Sequence, residues 1–346
     1  MSKPLVLIEP HFRSMDEVFA KEDLKRLKSF SEVISVKAGP LPEEMLERHL
    51  PNAWAFVSGW PELDKERLDK AKSLRAILEI GGHFEPGVDY EVCFERGIRV
   101  LSCAPAFGPQ VAEMALALTF SASRGIVGIH EDFRQGKEKW FGEGERVGKD
   151  FSLFNQDIGL VGCGSIARIL LRLLRPFGCH VRVYDPWLPA TIIEDLGCEP
   201  CSLDEVMARS KVVYILAVPT QENKSMISKE KLALMPDNSL LVLVSRAHLV
   251  DFDALTNELA KGRLQAAIDV FPKEPLPLDH PIRRVPNVVL TPHQAAGIMK
   301  GRQLIGRMVV DDLELMSKGL PPMRMQVGQP EHLLKRLGRE RFQGGK

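Results

Sequence analysis

Three polar residues, Arg246, Glu274 and His293, each follow a short apolar run, and together they offer a cation, a carboxylate and an imidazole. The apolar runs are typical of buried strands and comprise Leu240–Val244, Ala266–Val270 and Val288–Leu290. Ligands of open parallel sheets bind outside the carboxyl ends of the strands. We therefore expect these three side chains to converge on one ligand.

The three side chains suit the reduction of a 2-oxo acid, which needs a hydride donor, a proton donor and a cation for the carboxylate. Arg246 presents a planar fork that can bind a carboxylate through two hydrogen bonds. A histidine titrates near neutral pH and can exchange a proton with the substrate oxygen. Glu274, if bonded to His293, would orient the ring and favour the imidazolium. The simpler alternatives are a surface arginine, a glutamate on a loop surface and a histidine that begins a helix.

A glycine-containing turn predicts a dinucleotide site. Ile158–Val161 is typical of a buried strand, and the segment Gly162–Ala167 then matches the pattern G-x-G-x-x-A. Gly162 permits a tight turn, Gly164 leaves room for a pyrophosphate beside the backbone, and Ala167 lets helix and strand pack closely. The alternative is a tight turn in an ordinary βαβ unit.

The segment after this turn favours NAD over NADP. A helix is predicted over Ser165–Arg175, and its N-terminus, with Ser165 and Ile166, would present free N–H groups to the phosphates. The strand Val181–Tyr184 follows and ends at Asp185. A carboxylate at this position can bind a ribose 2′-hydroxyl and would repel a 2′-phosphate. The predicted cofactor is therefore NAD.

Length and composition are typical of a soluble protein with two domains. The chain has 346 residues, of which 45% are hydrophobic and 27% charged, and its formal net charge is 0. We therefore expect neither nucleic acid nor a membrane as a partner. The chain shows no signal-peptide pattern and no membrane-spanning run, and its six cysteines are dispersed, which predicts a reduced, cytoplasmic protein. Cys198 and Cys201 lack a second ligand pair, so no metal site is expected.

Strands alternate with helical segments throughout the chain, which predicts an α/β fold with parallel sheets covered on both faces. The further predicted strands are Leu5–Ile8, Ala55–Ser58, Ala76–Ile80, Arg99–Leu101 and Val212–Ala217. Ala104–Pro109 is expected to be a loop that crosses between domains, and a helix is expected over Val111–Ser123. The polar segment Gln135–Phe151 is expected to wrap a surface or a partner subunit. The charged chain from Met323 onwards is expected to be partly disordered.

Four motifs in this order resemble those of the D-isomer-specific 2-hydroxyacid dehydrogenases, which include phosphoglycerate dehydrogenases and glyoxylate/hydroxypyruvate reductases. The motifs are Gly162–Ala167, Ser245–Asp251, Asp269–Pro275 and Thr291–His293. The resemblance covers residues 50–315. NAD-dependent formate dehydrogenases share the fold but resemble this chain less, because they place glutamine where Glu274 stands.

The resemblance implies roles for individual residues. Arg246 would bind the substrate, Glu274 would support the histidine, and His293 would be the acid/base. The residues expected near the nicotinamide are Ser245 and Asp269, and those expected near the adenosine are Val218, Pro219 and Asn223. Gly82, His83 and Phe84 would offer backbone N–H groups to the substrate carboxylate. The chain departs from the family pattern at Ala247, at Gln294 and in the bulky substrate loop 81–89.

The resemblance also implies two Rossmann-like, doubly wound domains. We expect a discontinuous substrate-binding domain over residues 1–104 and 299–330, an NAD-binding domain over 105–298, and a C-terminal tail over 331–346. A homodimer formed through the cofactor domain is expected.

Two functions fit these features. The first is an NAD-dependent oxidoreductase that interconverts a small D-2-hydroxy acid and its 2-oxo acid. The alternative is an NAD(H)-sensing interaction protein, similar to the corepressors of this family, which would bind NADH tightly, turn over slowly and present a peptide-binding surface.

Overall fold

The computed structural model describes residues 3–140, 150–220, 222–331 and 333, and it divides into two compact units. Unit 1 comprises Met1–Gly108 and Gly297–Lys346, and unit 2 comprises Pro109–Ala296. The chain thus leaves unit 1 after residue 108, where we predicted 104, and re-enters it at residue 297, where we predicted 299. The binding roles that we assigned to the two domains stay predictions.

The strands are β1 Leu5–Glu9, β2 His11–Ser14, β3 Glu32–Ser35, β4 Ala38–Gly39, β5 Ala55–Ser58, β6 Ala76–Glu79, β7 Arg99–Ser102, β8 Asp157–Val161, β9 His180–Tyr184, β10 Glu199–Pro200, β11 Val212–Ile215, β12 Leu240–Leu243, β13 Gln265–Ile268, β14 Val288–Leu290 and β15 Gln326–Val327. The α-helices are α1 Met15–Val18, α2 Lys21–Phe30, α3 Glu43–His49, α4 Lys65–Lys70, α5 Tyr90–Glu95, α6 Gly108–Ser123, α7 Ile126–Arg134, α8 Ser165–Leu174, α9 Ala190–Asp195, α10 Leu203–Arg209, α11 Lys229–Leu234, α12 Phe252–Ala260 and α13 Met299–Ser317.

Unit 1 is built on a six-stranded sheet in the order β15-β7-β6-β5-β1-β3, parallel except for β15. Both faces of this sheet are buried. On β1, Val6 and Ile8 pack into one apolar cluster with helices α2 and α13, whereas Leu7 packs into another with α3 and α4. Alternate residues of a strand point to opposite faces, so a nearly continuous apolar run is what a two-sided sheet requires.

Unit 2 is built on a seven-stranded parallel sheet in the order β10-β9-β8-β11-β12-β13-β14. The strand order reverses at β8, which pairs with β9 on one side and β11 on the other. Such a reversal opens a crevice at the carboxyl ends of the strands, where ligands of α/β sheets bind. The predicted fold class, two doubly wound Rossmann-like domains, is confirmed.

Residues 104–109 are helical, so the prediction of a loop there is wrong. A 3₁₀ turn spans Ala104–Phe107, and α6 begins at Gly108. Pro105 and Pro109 suggested a loop, but a proline in the first turn of a helix loses no hydrogen bond, because the N–H group there has no helical partner.

The chain after α13 is ordered further than the sequence suggested. Asp312 on α13 is buried, and its carboxylate accepts the N–H groups of Met323, Arg324 and Met325 at 2.8, 2.9 and 2.7 Å. β15 then pairs with β7. The predicted tail, 331–346, lies outside the described residues except for residues 331 and 333, and Leu333 is buried in unit 1.

Among the described residues, no single helix has the length and apolar character to cross a membrane, although the bent pair Ala104–Ser123 and Ile126–Arg134 would pass on length and composition alone. Within the same residues, no group of three or more His, Cys, Asp or Glu side chains could hold a metal ion. Most of the polar segment predicted to wrap a surface or partner, namely 141–149, lies outside the described residues.

Candidate active site

His293 and Glu274 form a hydrogen-bonded pair at the carboxyl edge of the unit 2 sheet. Nδ1 of His293 lies 2.7 Å from Oε2 of Glu274. The other carboxylate oxygen accepts the N–H of Phe271 at 2.9 Å, which fixes the carboxylate. Nε2 has no partner among the described residues and the side chain is 44% exposed, so this nitrogen can exchange a proton with a ligand.

Asp269 holds the loop that carries the imidazole. Its buried carboxylate accepts hydrogen bonds from Thr291 Oγ1 at 2.5 Å and from the N–H groups of Gln294 and Ala295 at 2.9 and 3.0 Å. Its backbone carbonyl accepts the N–H of His293 at 2.8 Å. His293 has a φ of 55°, which is uncommon for a residue with a side chain and needs support from its surroundings. Asp269 provides that support from both its side chain and its backbone.

Arg246 and Ser245 follow β12 in the same sheet. Nη1 of Arg246 donates to the carbonyl of Ser245 at 2.8 Å. The residue keeps an exposed surface, yet the protein atoms around it desolvate its guanidinium and lower the pKa, an effect that the carboxylate of Glu274 opposes. An arginine nevertheless stays charged at neutral pH. Ser245 is buried, and its hydroxyl has no hydrogen-bond partner among the described residues, so it suits a polar group of a ligand.

The glycine turn fits a dinucleotide. Gly162 has a φ of +95°, and a Cβ there would lie 2.6 Å from the backbone nitrogen of Ala217. Gly164 precedes α8 without a side-chain cap, and a Cβ there would meet no atom within 4 Å. The first N–H groups of α8, including those of Ser165 and Ile166, have no helical acceptor. The open space beside Gly164 therefore gives phosphate groups access to these donors.

Asp185 is anchored beside this turn. Its Oδ2 accepts the N–H of Cys163 at 2.8 Å, and its Oδ1 accepts the N–H of Trp187 at 3.0 Å. A carboxylate oxygen can accept more than one hydrogen bond, so both oxygens keep capacity for ribose hydroxyls. Two backbone hydrogen bonds thus fix the carboxylate beside the glycine turn.

The loop after β11 contains the three residues expected near the adenosine. Val218 is 47% exposed and offers apolar surface, and Pro219 follows it. The side chain of Asn223 is engaged within the loop, because its Oδ1 accepts the N–H of Thr220 at 2.7 Å and its Nδ2 donates to the carbonyl of Val218 at 2.8 Å. Asn223 therefore shapes this loop, and its contact with a cofactor stays a prediction.

In unit 1, Gly82, His83 and Phe84 follow β6. Gly82 has a φ of +114°, and a Cβ there would lie 2.7 Å from Cε2 of Phe107. Phe84 is buried and packs edge-on against Tyr90. Its side chain therefore anchors the loop, and only its backbone can serve a ligand.

Sequence reasoning missed two residues, Thr291 and Glu85. Thr291 belongs to the motif Thr291–His293, so its place two residues before His293 is the available signal. Glu85 gave no signal, because nothing in an acidic loop residue predicts that it is 1% exposed. The departure at Ala247 is accommodated, because this residue begins a right-handed 3₁₀ turn that needs no glycine.

The fold and the site define a dinucleotide-binding α/β protein with an arginine, a glutamate and a histidine at the carboxyl edge of its sheet. Residues 116–295 match the family model described as D-isomer specific 2-hydroxyacid dehydrogenase, NAD binding domain. The chain belongs to this family, and its cofactor is NAD.

Known relatives agree with this assignment. A solved phosphoglycerate oxidoreductase from Rhizobium etli is 35% identical, with a TM-score of 0.83 over 94% of this chain and 99% of that chain. The glyoxylate reductase of Korarchaeum cryptofilum is 30% identical over 83% of this chain and 86% of its own length. The D-3-phosphoglycerate dehydrogenase of Methanocaldococcus jannaschii is 28% identical over 86% of this chain. These names are those of enzymes and do not favour the NAD(H)-sensing alternative.

The chain spans somewhat more than half of two curated relatives. It covers 56% of the phosphoglycerate dehydrogenase from Methanocaldococcus jannaschii and 57% of that from Archaeoglobus fulgidus.

Proposed function

We propose that this protein is an NAD-dependent oxidoreductase that interconverts a small D-2-hydroxy acid and its 2-oxo acid. The observation that carries the proposal is the hydrogen bond between His293 and Glu274, which leaves Nε2 available for proton transfer. Arg246 lies in the same unit, and its positive charge interacts with Glu274. The glycine turn and Asp185 supply a cradle for the cofactor.

The proposed roles follow from this arrangement. The bound cofactor would supply hydride transfer to or from the reacting carbon of the substrate, and the glycine turn and Asp185 would hold it. His293 donates a proton from Nε2 to the carbonyl oxygen, and Glu274 holds the ring and stabilises the imidazolium before transfer. Arg246 binds the carboxylate of the substrate and orients the reacting carbon. In the reverse direction, His293 accepts the proton of the hydroxyl group.

The residues proposed to bind the cofactor are Gly162, Gly164, Ser165, Ile166, Asp185, Val218, Pro219, Asn223, Ser245 and Asp269. Those proposed to bind the substrate are Arg246 and the loop residues Gly82, His83 and Phe84. Support comes from the free N–H groups of α8 and from the orphan hydroxyl of Ser245.

The test is NADH oxidation by the purified protein with a panel of 2-oxo acids. The panel contains glyoxylate, hydroxypyruvate, pyruvate, oxaloacetate, 3-phosphohydroxypyruvate and branched or aryl analogues. Turnover of one or more compounds supports the proposal. Chiral chromatography of the product then tests the stereochemistry, and the D-hydroxy acid is the expected isomer. Tight NADH binding without turnover of any compound contradicts it.

Replacing Asp185 with asparagine is expected to reduce the preference for NADH over NADPH by about tenfold or more. The change removes the charge that repels a 2′-phosphate but keeps one oxygen as a hydrogen-bond acceptor, and a hydrogen bond to a charged group contributes about 1.5–3 kcal/mol. The ratio of kcat/KM for the two cofactors, measured with one 2-oxo acid, checks this. An unchanged ratio in a variant of normal melting temperature would contradict the role of Asp185.

We also propose a homodimer formed through unit 2. Helix α7 exposes four apolar side chains, each between 46% and 58% exposed, and they are Ile126, Val127, Ile129 and Phe133. A group of exposed apolar residues on one helix is typical of an interaction surface.

A cytoplasmic location is proposed as well, since all six cysteines are free thiols, as expected in a reducing compartment.

Replacing Phe133 with glutamate is expected to shift the protein from dimer to monomer, because the change places a charge within the apolar face of α7. Sedimentation velocity over a range of concentrations measures the effect. Leu278→Glu is the matched control, since Leu278 is 88% exposed in unit 2 but lies outside α7. A monomeric wild-type protein, or equal behaviour of the two variants, would contradict the proposal.

A further inference from the structure

Helix α8 in unit 2 carries a basic residue, Arg168, that the proposed cofactor site does not use. It lies at the end of the first turn of the helix, three residues after Ser165, and its side chain is exposed. Within the described part of the chain, its guanidinium forms no ion pair and no side-chain hydrogen bond. A single exposed arginine is an ordinary surface residue. The position of Arg168 relative to the glycine turn is what distinguishes it.

Helix geometry places Arg168 over this turn. Residues three and four apart lie on one face of a helix, so Arg168 shares a face with Ser165 and with the preceding Gly164. The Cα–Cβ bonds of a helix tilt towards its N-terminus, so a long side chain at this position covers the preceding turn. A Cβ on Gly164 would meet no atom within 4 Å. The stem of Arg168 therefore leads towards the open space at the N-terminal end of α8.

The charge of Arg168 acts on the glycine turn itself. Burial raises the pKa of the Cys163 thiol, and the positive charge of Arg168 opposes this rise. The carboxylate of Asp185 acts on the same thiol with the opposite sign. That carboxylate accepts two backbone N–H groups and lies beyond ion-pair distance of Arg168. Opposite charges thus flank the turn without neutralising each other by direct contact.

The balance of charge at this turn favours a cation. The pyrophosphate of NAD carries two negative charges, whereas the N-terminus of a helix contributes roughly half a positive elementary charge. Asp185 adds a negative charge beside the turn. Arg168 is the only basic residue between residues 162 and 171. Without it, the helix end alone would leave most of the charge of the phosphates uncompensated.

We propose that Arg168 is a cofactor-binding residue whose guanidinium binds the pyrophosphate of NAD. The proposal rests on the proposed function, since it requires NAD at the glycine turn, and it adds a side-chain contact to a cradle of backbone N–H groups. A guanidinium can pair with two phosphate oxygens at once, which suits a pyrophosphate. Arg168 neutralises charge there and takes no part in hydride or proton transfer.

A matched control lies one helical turn farther along α8. Arg172 is exposed, as Arg168 is, and lies on the same face four residues later. It likewise forms no ion pair and no side-chain hydrogen bond with the described residues. The rise of a helix over four residues places it about 6 Å farther from the N-terminal end. Replacing either arginine with glutamine removes one charge from the same helix, so the two variants differ only in where that charge is lost.

The test measures ligand binding directly. Fluorescence titration gives the Kd of NADH, and competition with NADH gives the Kd of ADP-ribose, which retains the pyrophosphate, and of adenosine, which lacks it. Arg168→Gln is expected to raise the Kd of NADH and of ADP-ribose by roughly 5- to 20-fold, because one charge-assisted contact at an exposed position is lost. The Kd of adenosine, which is uncharged, is expected to change by less than about twofold. Arg172→Gln is expected to change all three values by less than about twofold.

Salt provides a second readout, which a merely structural role would not change. Screening weakens interactions between exposed charges, so the Kd of NADH for the wild type is expected to rise with salt concentration. This rise is expected to be smaller in Arg168→Gln, so that the difference from the wild type shrinks at high salt. Arg168→Lys retains the charge and is expected to keep the salt dependence, with a Kd between those of the wild type and Arg168→Gln. A lysine variant as weak as the glutamine variant would contradict the proposal.

The outcomes separate this inference from the proposed function. If the wild type reduces 2-oxo acids with NADH but Arg168→Gln and Arg172→Gln bind NADH equally well, the inference is wrong and the function stands. Equal loss of affinity for ADP-ribose and adenosine would reduce Arg168 to a structural residue of α8. Loss of affinity for NADPH alone would place the guanidinium at the ribose 2′-position and overturn the assignment. Should the wild type bind no NADH, the proposed function fails, and the inference fails with it.

Discussion

Replacing His293 with glutamine is expected to lower kcat by about 10²- to 10⁴-fold, the usual contribution of a general acid–base residue. Affinity for NADH is expected to change by less than about twofold, because the imidazole serves proton transfer and does not support the cofactor cradle. The two quantities are measured by steady-state kinetics with a substrate from the panel and by fluorescence titration with NADH.

Two further variants make this test sharper. Glu274→Gln keeps a hydrogen-bond acceptor near Nδ1 of His293 but removes the carboxylate charge, so kcat should fall less than in His293→Gln while the affinity for NADH stays unchanged. His180→Gln replaces a histidine at the amino end of β9 and should leave kcat unchanged. Equal loss of turnover and of NADH affinity in His293→Gln would show that His293 supports the fold of the site and not proton transfer.

Local conformational preferences and strand order explain why the sequence predicts parts of this site. Gly162 predicts its turn because few other residues adopt a φ of +95°. Arg246, Glu274 and His293 were expected at one edge because each follows a strand, and parallel strands end at a common edge. The role assigned to Glu274 requires a hydrogen bond to His293, and the structure shows this bond.

Contacts between distant segments explain the features that the sequence could not predict. Asp269 stands at the end of an apolar run, and only the fold shows that its carboxylate binds the loop from Thr291 to Ala295. Asp312 lies within an ordinary helical pattern, yet it orders the chain after α13 by accepting three N–H groups. In both cases the partners are neighbours in space, and a buried carboxylate has no local signature that separates it from an exposed one.

The same reasoning applies to the substrate loop. The sequence shows an unusual loop with bulky residues, but it does not distinguish the role of Phe84 from that of His83. Burial separates them, because Phe84 packs against Tyr90 while the side chain of His83 is 43% exposed. Burial of this kind depends on packing within the fold, so the residue types of the loop alone do not predict it.

Replacing Arg246 with glutamine is expected to lower kcat/KM for every 2-oxo acid on the panel by about 30- to 5,000-fold. Loss of one partner from a hydrogen-bonded charge pair costs about 2–5 kcal/mol, and each 1.36 kcal/mol corresponds to a factor of ten. We expect KM to rise because the arginine binds the carboxylate. We expect kcat to fall because the arginine also orients the carbon that accepts the hydride. Affinity for NADH should stay close to that of the wild type.

Arg246→Lys separates charge from geometry. Lysine retains the positive charge but lacks the planar fork, so a partial recovery relative to glutamine is expected, with kcat remaining low because the substrate is held less precisely in orientation. Full recovery would show that Arg246 acts only as a distant charge. Loss confined to oxaloacetate and 3-phosphohydroxypyruvate, which carry a further anionic group, would place Arg246 at that group instead, and the reacting carboxylate would then need a different partner. A uniform loss across the panel is the result that assigns Arg246 to the carboxylate common to all of these substrates.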